Sequence, residues 1–182
     1  FQAAALVMSG EAYAVASQDY DALVVGGTRL IQNLTLAKKR KLANGDFVYI
    51  APEVIEHTRV LNELGLNGDQ LICLAILVGS DFNPGGVRGI GPKKALDLVR
   101  KFKHPVSIFK EVEGRMDFDW QVIFEIFKKP NVSRFNLSFP KINEARIKDI
   151  LVGEHNFSAD RVEKQLDKLK EAKKSEGQKK LF

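Results

Sequence analysis

Long apolar runs and cysteines are scarce in this sequence of 182 residues, and both absences narrow the class of protein. No stretch of about 18 consecutive apolar residues occurs, so the sequence predicts no membrane-spanning helix and no membrane partner. The first residues, Phe1 to Ala4, lack the basic region that opens a signal peptide. The single cysteine, Cys73, cannot form an internal disulfide, and its apolar neighbours indicate a small core residue. An intracellular setting is therefore expected.

The sequence also contains few methionines and few segments with the pattern of a strand. The only methionines are Met8 and Met116. The apolar runs 13–17 and 22–25 are typical of strands buried on both faces, and such strands need neighbours in a sheet of usually about four or more strands. The sequence offers few other strands, so we expect an N-terminal part of the domain to be missing.

Local patterns predict the remaining elements. An Asn44-Gly45 turn between the apolar segments 30–36 and 47–51 predicts a hairpin. Helices are predicted by apolar spacing, by proline at the first turn and by glycine at the end. They cover residues 2–8, 52–64, 69–78, 92–102, 120–127, 143–151 and 158–174, and Gly65 is the expected stop of the second.

Positive charge is concentrated in two segments. The chain has 28 basic and 23 acidic residues, a net charge of +5. Residues 86–110 contain seven basic residues and one acid, and a second basic run covers residues 38–41. Such clustering favours a polyanionic partner, although a solvated lysine-rich surface gives the same composition.

Two aspartates directly follow the first predicted strand. In extended backbone Asp19 and Asp21 would project to the same side, at the carboxyl end of the strand where ligand sites of open α/β sheets lie. Two neighbouring carboxylates repel, and a divalent cation is the usual compensation. An ordinary acidic turn is the alternative interpretation.

A third aspartate, Asp81, follows the predicted core helix 69–78. The negative end of the helix dipole disfavours a carboxylate at this position, and burial would disfavour it further. A metal ion is one counter-charge that would explain the residue. A loop aspartate that only hydrogen-bonds its own turn is the alternative.

The segment from Gly89 to Lys94 is the most specific motif. Gly89 and Gly91 allow the backbone to approach a surface closely, and Pro92 suits the first position of a helix. The free amides and the positive end of that helix would bind an anion, with Lys93 and Lys94 adding charge. We therefore expect these residues to contact the phosphates of a nucleic-acid backbone without reading the bases, with an affinity that depends on salt. A plain helix start after a glycine turn is the alternative interpretation.

With these motifs in view, the sequence resembles the flap endonucleases of the XPG nuclease family, and the archaeal members most closely. The resemblance covers essentially the whole chain. Its densest segments are 16–23, 34–35, 75–86, 89–91 and 154–158.

The resemblance implies an α/β fold with three regions. Residues 1–65 would be the C-terminal part of a PIN-like (Rossmann-like) nuclease region. Residues 66–172 would be a helical 5′–3′ exonuclease region with a helix–three-turn–helix DNA clamp, and residues 173–182 a flexible tail. The two glutamates of the family would precede Phe1, together with further metal-binding aspartates.

The resemblance also implies the ligands. Asp19, Asp21 and Asp81 match three members of a carboxylate cluster that holds two Mg²⁺ ions, for which Mn²⁺ can substitute. The segment 89–94 matches the clamp, where family members also bind a monovalent cation such as K⁺. The expected substrate is branched or nicked duplex DNA with a 5′ flap.

The end of the chain resembles the start of a sliding-clamp-binding motif, formed by Gln178, Leu181 and Phe182. The closing aromatic pair of that motif is not present in the sequence, so the motif looks shortened. An apolar tail on a basic segment is also compatible with a chain end of no function. The expected location is cytoplasmic in an archaeon and nuclear in a eukaryote.

The resulting hypothesis is a 5′-flap endonuclease and 5′–3′ exonuclease of DNA replication, with a role in Okazaki fragment maturation, and of repair. Three carboxylates leave two divalent cations with an excess of positive charge, so we expect the isolated chain to bind Mg²⁺ weakly and to cleave poorly. A duplex-binding fragment without catalysis and a PIN-type ribonuclease are the alternatives.

Overall fold

A computed structural model describes residues 1–34, 39–133, 137–138 and 141–178. The chain divides into two compact units, residues 1–136 and residues 137–182. The helices of the first unit are α1 (Gln2–Met8), α2 (Asp21–Val24), α3 (His57–Leu64), α4 (Gly68–Val78), α5 (Pro92–Phe102), α6 (Pro105–Lys110) and α7 (Trp120–Lys128). Its strands are β1 (Val15–Ala16), β2 (Arg29–Gln32), β3 (Lys39–Lys41), β4 (Phe47–Tyr49) and β5 (Glu53–Glu56).

The strands form two small sheets. Strand β2 lies between β1, to which it is parallel, and β5, to which it is antiparallel. Strands β3 and β4 form a separate antiparallel hairpin. A small sheet followed by helices confirms the α/β prediction.

The second predicted strand is wrong. Residues 22–25 lie mostly in the short helix α2, because the Asp19 side chain accepts the amide of Asp21 at 2.9 Å and turns the chain there. Leu23 and Val24 are buried in that helix. A short apolar run bounded by polar residues does not distinguish a buried strand from a buried helical turn.

The region between the sheet and α3 also differs from the prediction. The hairpin pairs the basic segment itself, Lys39–Lys41, with β4, whereas the apolar segment 30–36 contributes β2. Residues 35–38 lie outside the described residues. Residues 53–56 form β5 rather than the start of a helix, because their backbone pairs with β2. The predicted stop is confirmed, since Gly65 ends α3 with φ 64°.

Helix α4 forms the centre of the first unit, as predicted. Asn67 and Gln70 close a capping box at its start, and Cys73, Ile76 and Leu77 have no exposed surface. The core extends from Ala4 to Phe127 and so includes residues on both sides of position 65. The region boundaries at 65 and 172 stay predictions. Of the aromatic residues of α7, Phe127 is buried in this core, and Trp120 and Phe124 pack against it.

No single helix among the described residues is long and apolar enough to cross a membrane. The pair α3 and α4 reaches that length and composition only when taken together, and it is bent by 79°.

The second unit is helical. Helix α8 (Glu144–Lys148) continues as a π-helix (Asp149–Glu154), and α9 covers Ala159–Gln178. Exposed ion pairs join the two segments, Lys148 with Glu163 at 2.7 Å and Lys170 with Glu144 at 2.9 Å. Helical backbone continues through Gln178, and the flexible tail over residues 173–182 stays a prediction. Leu181 and Phe182 lie outside the described residues.

Candidate carboxylate site and anion-binding helix end

Three aspartates from two distant segments line one open pocket. Asp19 comes from the connection between β1 and α2, Asp21 is the first residue of α2, and Asp81 comes from the loop after α4. Gly79 and Ser80 line the same pocket. The structure therefore brings together the three carboxylates that the sequence singled out.

The first two aspartates reach the pocket by a route that the sequence did not predict. They do not alternate along an extended strand, since Asp21 lies in the first turn of α2. Ser17 and Asp19 shape a compact turn: the Ser17 hydroxyl accepts the Asp19 amide at 3.0 Å, and Asp19 Oδ1 accepts the Asp21 amide at 2.9 Å. The expectation of neighbouring carboxylates is retained, but its geometric reason was wrong.

A buried glutamine at the end of β2 supports this turn. Gln32 accepts the hydroxyl of Tyr20 at 3.2 Å and donates from Nε2 to the carbonyl of Gln18 at 3.2 Å. Both partners are neighbours of Asp19. Sequence reasoning missed this residue; its only signal was an amide side chain at the end of an apolar strand.

The electrostatics of the pocket show that the carboxylates interact. Burial raises the pKa of Asp21, and the negative charges of Asp19 and Asp81 raise it further, while the amino group of Phe1 opposes them. Each carboxylate thus makes ionisation of Asp21 more costly. A cation in this pocket would relieve that repulsion.

The loop from Gly79 to Gly91 is built from three consecutive turns. In each turn an amide donates to the carbonyl three residues earlier: Asn83 to Ser80 at 3.1 Å, Gly86 to Asn83 at 3.0 Å, and Ile90 to Val87 at 3.0 Å. Since α4 precedes the loop and α5 follows it, this is the helix–three-turn–helix arrangement that the resemblance implied.

The side chain of Asn83 fixes the first of these turns. Its Nδ2 donates to the Ile76 carbonyl at 2.7 Å, near the end of α4. Its Oδ1 accepts the Ser80 amide at 3.1 Å and the Ser80 hydroxyl at 2.6 Å. Asn83 is 5% exposed, and sequence reasoning did not assign it a role.

The loop also packs directly on the end of α4. Val87 donates its amide to the Leu77 carbonyl at 2.9 Å. At Gly86, where φ is +62°, a Cβ atom would lie 2.4 Å from the Leu77 oxygen and from the Val78 carbonyl carbon. Only glycine fits there, because the backbone of the loop and the backbone of the helix are in contact.

Asp81 itself is exposed, and this corrects the sequence interpretation. The residue does lie beyond the end of α4, as predicted, but water screens it from the helix dipole and burial does not disfavour its charge. The adjacent Phe82 packs on Phe127 of α7, with ring centroids 5.6 Å apart. The Asp81 carboxylate therefore projects from a well-anchored loop.

The donor set of the pocket fits a hard divalent cation in kind but not in number. Carboxylate oxygens are the ligands that Mg²⁺ prefers. Within the part of the chain that the structure describes, no group of three or more His, Cys, Asp or Glu side chains is arranged to hold a metal ion. The three aspartates share a pocket without forming a complete ligand set.

The start of α5 is a second candidate feature, a helix end with free backbone amides. Gly91 precedes Pro92, and no side chain caps this helix start in the described region. Pro92 has no amide and the Ala95 amide donates to Gly91, so the amides of Lys93 and Lys94 remain available. Both lysine side chains are exposed. These donors and charges suit a phosphate.

The two glycines of this motif differ in their structural need. Gly89 has φ +74°, a conformation that favours glycine, and its carbonyl accepts Lys94 Nζ at 3.4 Å. Gly91 has φ −88°, and a Cβ atom there would meet nothing within 4 Å. The fold of the described residues therefore requires glycine at position 89 but not at position 91.

Three further residues, Cys73, His104 and His57, do not line the carboxylate pocket. Cys73 is buried, and burial raises the pKa of its thiol to about 12. His104 precedes α6. His57 begins α3, burial lowers its pKa, and its Nε2 is buried without a hydrogen-bond partner among the described residues.

Comparison with known proteins shows what the whole chain is similar to. The family model "XPG I-region" matches residues 1–81. Flap endonuclease 1 of Pyrococcus horikoshii is 46% identical over 176 residues, which are 96% of this chain and 50% of the relative. Flap endonuclease 1 of Pyrococcus furiosus is 47% identical over 176 residues, 96% of this chain and 51% of the relative. The chain spans about half the length of the curated relatives it matches.

Solved structures give the same result for the fold. Flap endonuclease-1 from Methanococcus jannaschii has a TM-score of 0.75 at 40% identity, covering 92% of this chain and 49% of that one. The catalytic core of Rad2 in complex with DNA substrate has a TM-score of 0.66 at 16% identity, covering 92% and 60%. The second likeness concerns the fold alone. The predicted PIN-like nuclease fold is confirmed.

Proposed function

We propose that this chain, which belongs to the XPG/flap endonuclease family, carries part of the active site and the duplex clamp of a structure-specific DNA nuclease. The proposed activity is 5′-flap endonuclease and 5′–3′ exonuclease cleavage in replication, including Okazaki fragment maturation, and in repair. The observation that carries the proposal is the meeting of Asp19, Asp21 and Asp81 in one pocket.

The proposed cofactor is Mg²⁺, two ions in a complete site, with Mn²⁺ able to substitute. A pair of divalent cations about 4 Å apart supplies positive charge to the attacking and the leaving oxygens of a phosphodiester. Asp19, Asp21 and Asp81 would hold this charge in place. The pKa of Asp21 is raised by burial and further by the charges of Asp19 and Asp81, and this supports a cation as the missing partner.

The number of carboxylates sets a limit on this chain by itself. Three negative charges do not balance two divalent cations before the substrate binds. Further acidic ligands in the complete protein would remove the excess. We therefore propose that the chain alone binds Mg²⁺ weakly and cleaves poorly, and robust cleavage by the chain alone, abolished by Asp81→Ala, would contradict this.

The proposed contribution of α5 is to grip the DNA backbone. The free amides of Lys93 and Lys94 and the charges of their side chains would bind a phosphate, with Gly89 and Gly91 allowing close approach. A monovalent cation such as K⁺ at the loop is part of the same proposal. These contacts reach the backbone of the DNA and not its bases, so binding would be independent of sequence and sensitive to salt.

The catalytic part is tested with Asp81→Asn in the complete protein. Single-turnover cleavage of a 5′-flap DNA is expected to fall by at least about 100-fold, because a charged member of the site becomes neutral. Affinity for the same DNA in Ca²⁺ buffer is expected to stay within about twofold. Glu111→Gln, an exposed acid outside the pocket, is the matched control. Unchanged cleavage by Asp81→Asn would refute the proposal.

The clamp is tested with a Lys93→Ala and Lys94→Ala double variant. The slope of log affinity against log salt concentration is expected to decrease by roughly 1 for each phosphate contact that is lost. Lys129→Ala, at the residue that follows α7, is the control. A double variant with the parental slope would contradict the proposed contact.

The same experiments separate the two alternative functions. A non-catalytic DNA-binding fragment would keep salt-dependent affinity in Asp19→Ala, lose it in the double lysine variant, and show no cleavage in the complete protein. A PIN-type ribonuclease would cleave an RNA flap faster than the matched DNA flap. The three-turn loop and the α5 start favour DNA duplex.

A sliding clamp is the proposed protein partner, through Gln178, Leu181 and Phe182. An intracellular location, cytoplasmic or nuclear according to the organism, belongs to the same proposal. Co-sedimentation of the chain with a sliding clamp, lost in a Leu181→Ala and Phe182→Ala double variant, is the test. Equal binding by the double variant would exclude this tail as the docking segment.

A further inference from the structure

Three amide side chains are the only polar or charged residues buried in the described part of the chain, and two of them lie behind the carboxylate pocket. Gln32, Gln70 and Asn83 are 8%, 7% and 5% exposed. Buried amides are retained where they satisfy backbone groups that would otherwise lose their hydrogen bonds. Since two of the three buried amides lie beside the same pocket, their hydrogen bonds bear on how that pocket is held.

Each of these two amides bonds the neighbours of a carboxylate residue. Gln32 bonds Tyr20 and the Gln18 carbonyl, which flank Asp19 on both sides. Asn83 bonds the amide and the hydroxyl of Ser80, which precedes Asp81. None of these bonds uses a carboxylate oxygen, and Asp19 Oδ1 is engaged only locally, by the Asp21 amide at 2.9 Å.

Both amides also connect the carboxylate segments to rigid elements. Gln32 is the last residue of β2, the central strand of the sheet. Asn83 donates to the Ile76 carbonyl of α4, the core helix. Gln32 therefore anchors the Asp19 side of the pocket to the sheet, and Asn83 anchors the Asp81 side to α4.

We propose that Gln32 and Asn83 are positioning residues that fix the Asp19-Asp21 turn and the Asp81 loop, and with them the carboxylates that would hold a divalent cation. The proposal rests on the proposed function of the pocket as a metal site. Residues that orient metal ligands through hydrogen bonds change metal affinity or activity by about 10- to 100-fold when they are replaced.

The test compares Asn83→Ala and Gln32→Ala with Gln70→Ala in the complete protein. Gln70 is the matched control, because it is buried to a similar degree, donates to the Val99 carbonyl at 2.6 Å, and lies at the opposite end of α4 outside the carboxylate pocket. Two quantities are measured below the unfolding temperature of all variants: Mn²⁺ affinity by electron paramagnetic resonance of the free ion, and the Mg²⁺ concentration that gives half-maximal single-turnover cleavage.

Asn83→Ala and Gln32→Ala are expected to weaken Mn²⁺ binding and raise the half-maximal Mg²⁺ concentration by about 10-fold or more, with high Mg²⁺ restoring much of the rate. Gln70→Ala is expected to lower the urea midpoint while both metal quantities stay within about twofold. If an alanine variant does not fold, Ser80→Ala is used. It removes the hydroxyl bond to Asn83 and the bond that the same hydroxyl accepts from the Phe82 amide, and it is expected to shift the metal quantities in the same direction.

Two results would overturn the proposal, and they are distinguishable. If the three amide variants change the metal quantities equally, the amides act on stability alone. If the Asp81→Asn variant binds Mn²⁺ as tightly as the parent protein does, the pocket is not a metal site. The proposed function then fails together with this inference.

Discussion

Replacement of Gly86 by alanine tests whether the Asp81 loop really rests on the backbone of α4. The new Cβ would lie 2.4 Å from the Leu77 oxygen and the Val78 carbonyl carbon, and neither atom can move without distorting the helix end. The positive φ of +62° adds about 1–2 kcal/mol of strain. Relief of the collision adds about 1–3 kcal/mol, the usual cost of overpacking a well-packed site. The free energy of unfolding should therefore fall by roughly 2–5 kcal/mol.

Gly85 provides the matched control one residue away. Its φ is +86°, but a Cβ atom there would meet nothing within 4 Å. Gly85→Ala thus carries only the conformational strain of about 1–2 kcal/mol. Loss of glycine flexibility in the unfolded chain stabilises both variants by a similar amount of about 0.4–1 kcal/mol, so it cancels between them.

Urea unfolding followed by circular dichroism separates the two variants. The difference of about 1–3 kcal/mol corresponds to midpoints roughly 1 M apart at a usual urea dependence of about 1–3 kcal/mol per M. Equal midpoints for Gly86→Ala and Gly85→Ala would refute the contact between loop and helix. They would also remove the reason for the fixed position of Asp81.

Three further outcomes are expected. Gly91→Ala should keep the unfolding free energy within about 1 kcal/mol of the parent, because the φ of −88° at this position suits any residue. Filter binding should nevertheless show a weaker affinity of this variant for duplex DNA. An affinity equal to that of the parent would argue against phosphate contact at this helix end. Asp21→Asn should be more stable than the parent in metal-free buffer at pH 7, because the folded state raises the pKa of Asp21 and the parent loses stability as the pH rises through that pKa. In urea titrations below the ordinary aspartate pKa of about 3.9, the difference between variant and parent should vanish. A parent that is more stable than the variant at pH 7 would contradict this prediction. As the pH is lowered from about 7.5 to about 5, His57→Phe should become more stable relative to the parent, because the histidine takes up its proton near about pH 6.5 in the unfolded chain but only at lower pH in the folded protein. Parallel profiles of unfolding free energy against pH for the two proteins would rule out this contribution.

Much of the helical region was predictable from local signals. Gly65 ends α3 and Pro92 begins α5 at the expected positions. The apolar composition around Cys73 marked α4 as a core helix. These signals act within one turn of backbone, through steric limits on φ and through hydrogen bonds that a helix end lacks.

The errors fall where distant segments decide the local structure. Residues 53–56 pair with β2 across the sheet, and no local pattern announced that partner. Residues 22–25 are helical because Asp19 turns the chain just before them. Short apolar runs fit either a strand or a helical turn, and tertiary contacts make the choice.

The sequence by itself determined which residue types were available and in what order: two aspartates after a strand, a third after a core helix, and a glycine-rich loop before a proline and two lysines. That order was enough to show the resemblance to the flap endonucleases. Whether the aspartates meet was a different question, because residues about 60 positions apart come together only through the packing of α4 against the elements around β2. The tertiary structure placed Asp19, Asp21 and Asp81 in one pocket, left Asp81 exposed, and buried Gln32 and Asn83 behind them. The physical reason is that backbone geometry is specified over a few residues, whereas burial, charge interaction and hydrogen-bond partners depend on the whole folded core.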